Sequence, residues 1–114
     1  HGCGAVRSAM GAEDFGMLNE WLRNIKDVYA ANFERLLGIA DGKEREDALV
    51  ELSATAQMQN LAKTSIVQNA WRERGGPWLH AWVYDLSDGI LHELASLPPD
   101  TTLAPPYAFD RSRL

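Results

Sequence analysis

Cys3 stands between Gly2 and Gly4, two residues after His1, and no other stretch of the chain combines residue types so suited to chemistry. A thiolate is a nucleophile and a metal ligand, and neutral imidazole is the commonest metal ligand among side chains. On the residues alone, a lone cysteine reads as a small buried hydrophobe and His1 as an exposed terminal residue. His80 and His92 lie far from this loop in sequence, on or near a hairpin pattern, and are read as strand-packing residues. Trp21, Trp71, Trp78 and Trp82 would suit a carbohydrate platform, but their helix and strand spacing assigns them to a core or an interface. The charged run 43–47 reads as a solvated helix start, and Gln57 and Asn60 either order a neighbouring loop or face water.

A reactive loop needs elements to hold it. Residues 1–5 read as loop because their glycines accept conformations other residues resist, and 6–10 as a short helix growing from it. After an interruption over 11–16, Leu18, Trp21, Leu22, Ile25, Val28 and Tyr29 recur at helical spacing, and Phe33, Leu36 and Leu37 carry the pattern to Gly38 with a break near Asn32. Asp41 is placed to cap a helix running to about Leu61, with Leu49, Leu52, Ala56 and Gln59 along its inner side. Thr64 and Ser65 cap a further helix over 66–72 that ends at Gly75-Gly76-Pro77. The period then changes. Residues 78–84 are aromatic and β-branched and read as a strand, Ser87-Asp88-Gly89 as a turn, and 90–94 as the returning strand. From Leu97 onward four prolines and no periodicity mark a tail that is ordered only by lying on something else.

The bulk properties are those of an ordinary soluble domain or part of one: 114 residues, 46% hydrophobic and 24% charged, enough for one core. The net charge of −5 has no basic stripe in it, which argues against nucleic acid as a partner. No apolar run approaches the roughly 20 residues of a membrane span, and no signal-peptide pattern is present. A single cysteine excludes an internal disulfide framework and suits a reducing compartment, so a cytoplasmic location is expected. The chain opens at His1 with no initiator Met, and a thiol so near its start is expected to continue a segment that precedes it.

Taken together the segments resemble the β-class carbonic anhydrases, from Gly2 to about Leu94 and in the family's own order. Gly2-Cys3-Gly4-Ala5-Val6 looks like the family's zinc-ligand loop, in which a His, two residues, a Cys and a Gly lead into a helix. The helix centred on Trp21-Leu22, the stretch from Glu51-Leu52 through Gln57 and Asn60-Leu61 to residues 65–71, and Leu79-His80-Ala81-Trp82-Val83-Tyr84-Asp85 with Asp88-Gly89 are similar to later family segments. The first loop is too short to be specific alone; four ordered matches are not. Two mild departures are Ala81, where the family usually has Gly, and Ser53, where Asn is common.

The resemblance implies an α/β fold with helices packed on a mostly parallel sheet, of which this chain carries only the C-terminal helices and late strands. It implies a domain part over 1–96 followed by an extended Pro-rich tail over 97–114. It implies Zn2+ as the metal, with Cys3 as a ligand. The family's ligand His lies three residues before the Cys, so either the residue before His1 is the ligand or His1 serves in a shortened loop. The early Cys and the Asp–Arg pair of the family have no counterpart, and no catalytic residue is identifiable in the chain. Zinc holds thiolate and imidazole tetrahedrally and leaves one position for water, whose pKa falls towards about 7. The implied reaction is reversible hydration of carbon dioxide to bicarbonate, by a homodimer or higher homo-oligomer, with the 114-residue chain alone inactive. Alternatives are a non-catalytic oligomerisation or regulatory module, or a carbon disulfide or carbonyl sulfide hydrolase.

Overall fold

The computed structural model describes residues 1–109, so 110–114 of the expected tail lie outside the described residues. Five helices precede two strands: α1 (Gly4–Ala9), α2 (Leu18–Ala31), α3 (Phe33–Leu37), α4 (Gly42–Ala62), α5 (Ser65–Arg74), β1 (Leu79–Asp85) and β2 (Ile90–Leu97). The break at Asn32 is real. Its backbone leaves the helical region, its side-chain amide donates to Val28 O at 2.9 Å, and the Tyr29 and Phe33 rings meet edge to face across it. The expected caps are also in place: the Asp41 carboxylate accepts from Glu44 N–H at 2.9 Å, and the Thr64 hydroxyl from Val67 N–H at 3.3 Å.

Helix α4 is the spine. Near its start, Leu49 joins Val6 of α1 and Leu36 of α3, with Ile25, Val28 and Tyr29 of α2 around them. Near its end, Met58 and Ala62 join Trp71 of α5 and Leu79 and Ala81 of β1. Leu49 and Met58 are nine residues apart, about 900° of helical rotation, which puts them on opposite faces. The helix therefore buries one face at one end and the other face at the other. A single inner stripe through Leu52, Ala56 and Gln59 does not describe it: Leu52 and Ala56 are only partly buried and Gln59 is exposed. Gln57 and Asn60 open onto a cleft of about 450 Å³ between α2 and α4.

β1 and β2 pair antiparallel from Leu79↔Leu97 to Asp85↔Ile90, with an irregularity between Ala81 and Trp82. A mostly parallel sheet is thus not seen among the described residues, and β2 runs three residues past the expected end, through Leu97. Leu79, Ala81 and Val83 turn inward while His80, Trp82 and Tyr84 face out. Trp71 alone of the four tryptophans is core; Trp21 is 79% exposed, and Trp78 and Trp82 are exposed as well.

Candidate functional site

Cys3 occupies the N-cap position of α1 in extended backbone, and its thiol is exposed rather than buried, with no hydrogen bond to the helix it precedes. Its carbonyl accepts from Arg7 N–H at 3.1 Å and so begins the helix. Gly2, immediately before, has φ of +73°, a conformation that a side chain resists. That left-handed residue lets the chain turn, so that His1 and Cys3 go to different surroundings.

The short helix behind the thiol is fixed on three sides. Val6 is buried in the first core cluster, and Ala9, on the same helix, is buried as well. The Arg7 guanidinium meets Glu46 of α4 at 3.0 Å. Lys26 of α2 donates to Ala9 O at 3.2 Å and Gly11 O at 3.0 Å, holding the carbonyl end.

His1 is half-buried, not an exposed terminus. Its α-amino group donates to Tyr84 O at 3.2 Å, and Nδ1 lies 3.2 Å from Asp85 Oδ2 at the end of β1. Nε2 is enclosed and lies 3.4 Å from Glu51 Oε1, within ion-pair range but off hydrogen-bond geometry. Both ring nitrogens therefore face carboxylates. The Ser87 hydroxyl, then the Ser87 N–H, donate to Asp85 and hold its carboxyl below the usual carboxylate range. Nothing local in the sequence signals this pairing, because it joins residues 84 positions apart.

The two later histidines lie on the hairpin as expected, but exposed on it rather than packed beneath it. His80 Nδ1 is 2.9 Å from Glu93 Oε1 across the strands, and His92 Nε2 is 2.7 Å from Asp88 Oδ2. Among the described residues one group of three or more potential ligand atoms converges, that of Asp85, Asp88 and His92. Its carboxylates already serve the turn, Asp85 accepting from Ser87 and Asp88 from Ile90 N–H. Cys3 is not in that group. A catalytic zinc ion needs three protein ligands and an open position. The residues present offer one exposed thiol and an imidazole committed to carboxylates, and by themselves they do not fit that ion.

Comparison with known proteins follows the same lines. A family model described as carbonic anhydrase matches residues 1–91. A carbonic anhydrase of Emericella nidulans is 43% identical over 94 residues, which are 82% of this chain and 41% of that protein. Among solved structures, one from work on two tetrameric β-carbonic anhydrases of Sordaria macrospora superposes with a TM-score of 0.78 at 28% identity, covering 84% of this chain and 49% of its own. The Coccomyxa β-carbonic anhydrase, solved in complex with acetazolamide, gives 0.77 at 28% identity, covering 85% and 45%. The chain spans less than half the length of each of these relatives.

Proposed function

The chain belongs to the β-class carbonic anhydrase family, and on that footing we propose that the intact protein catalyses the reversible hydration of carbon dioxide to bicarbonate, with Cys3 as one ligand of a zinc ion. The other ligands and the Asp–Arg pair come, in this reading, from sequence outside these 114 residues. The observation that carries it is the placement of Cys3: the family match includes its loop, and there the thiol is exposed at the head of a firmly held helix. Residues 1–114 then act as the scaffold of the site. Gly2 turns the loop, α1 fixes the thiol against α2 and α4, and His1 anchors the loop to the end of β1 through Asp85.

The same reading makes the protein a cytoplasmic homo-oligomer. Trp21, Trp78 and Trp82 are exposed apolar surface that a single copy of this chain leaves uncovered, which is surface suited to an interface. Among the described residues no helix is long and apolar enough to cross a membrane.

The test is Cys3→Ser in a longer chain that carries the sequence preceding His1. Bound zinc, measured by elemental analysis after dialysis, falls to a small fraction of the unaltered level, and zinc no longer protects the chain from thiol alkylation. Undiminished zinc content in the variant contradicts the assignment.

A further inference from the structure

Gln68 of α5 is the one buried polar side chain among the described residues, at 7% exposure, and its partners are unusual. Its Nε2 donates to Ala62 O at 2.9 Å, at the end of α4, and to Tyr107 O at 2.8 Å; its Oε1 accepts from Phe109 N–H at 2.8 Å. The carboxamide thus takes the carbonyl of one tail residue and the N–H of the residue two further on. A residue of a neighbouring parallel strand would take the same two groups. One turn along α5, Arg72 donates to Phe109 O at 2.8 Å, and Lys63 lies over the Tyr107 ring, 4.2 Å from its centre.

Backbone contacts rather than packing hold this end of the tail. Tyr107 and Phe109 are 49% and 48% exposed, and a cleft of about 270 Å³, lined by Gln68, Trp71, Arg72, Pro99, Leu103 and Phe109, remains beside them. We infer that this face of α5 is a docking site for an extended peptide, filled by the chain's own residues 107–109 and able to take the same segment from a second copy. Contacts to backbone atoms do not distinguish one copy's tail from another's, and the Lys63 seat for an aromatic ring selects a segment with Tyr107 in place. The tail's own copy has the advantage of attachment, which acts as a high local concentration. No metal and no catalytic step enters the proposal, so it stands apart from the zinc reading.

The experiment uses the full chain. Phe109→Pro removes the N–H that Gln68 accepts while leaving α5 unchanged. A fluorescent peptide of residues 98–114 is titrated against the unaltered chain and this variant, and binding is read by anisotropy. The peptide is expected to bind the variant at least about tenfold more tightly, because the competing tail has been weakened. Adding Gln68→Leu to the variant abolishes binding; should that double variant not fold, adding Arg72→Ala instead weakens binding several-fold. Equal affinity for the two chains, no binding to the Phe109→Pro variant, or binding that survives the α5 substitutions overturns the proposal.

Discussion

His1 Nδ1 lies 3.2 Å from Asp85 Oδ2, joining the first residue to the end of β1. The contact sets the imidazole against the end of β1, while the Cys3 thiol of the same loop is exposed. Its carboxylate partner has an acid-range signature. Because hydrogen bonds from Ser87 depress Asp85 in the folded chain, the stabilisation is complete above the ordinary carboxylate value of about 3.9 and is lost as pH falls through the lower folded value. Protection of the Ser87 amide against hydrogen exchange, corrected for intrinsic rates, should hold from neutrality to about pH 4 and fall only below it. Loss of protection near pH 6 contradicts this account.

Gly2 and Gly4 flank the same cysteine but should respond oppositely to alanine. Gly2 has positive φ, so Gly2→Ala costs about 1–2 kcal/mol. Gly4 lies in α1, and a Cβ there meets nothing within 4 Å, so Gly4→Ala is neutral or stabilises by up to about 1 kcal/mol. Thermal unfolding of the two variants separates them, the first melting several degrees lower and the second no lower than the unaltered chain. A similar loss for both would mean that backbone conformation at Gly2 is not what matters.

Leu49 is fully buried where α1, α3 and α4 meet, and Leu49→Ala should cost about 2–5 kcal/mol. Gln59→Ala, on exposed surface of the same helix, should stay within about 0.5 kcal/mol. Urea midpoints measure both. Equal effects would contradict the switch of buried face along α4.

Where one buried face persists, the sequence was readable. The period-two burial of β1, the Asp41 and Thr64 caps and the break at Asn32 follow from local chemistry, and each stands where the residues place it. Helix α4 was misread because its apolar positions serve two clusters half a turn apart, and a single-stripe reading averages them. Of the four tryptophans assigned to a core or an interface, Trp71 is core and Trp21, Trp78 and Trp82 are exposed in a single copy of this chain, because spacing marks a residue as facing something without saying what it faces. Cys3 was legible as a loop thiol, but its exposure and the diversion of His1 to Asp85 depend on contacts between distant parts of the sequence. The docking of the tail on Gln68, 41 positions before Phe109, was hidden for the same reason.

The most direct test of the central claim is stopped-flow hydration of carbon dioxide, run with zinc on the 114-residue chain and on a longer chain carrying the sequence preceding His1. The longer chain should accelerate hydration in a zinc-dependent way that Cys3→Ser removes, and the 114-residue chain should not exceed buffer. Substantial zinc-dependent hydration by the 114-residue chain alone, or full activity in the longer chain after Cys3→Ser, would contradict the account.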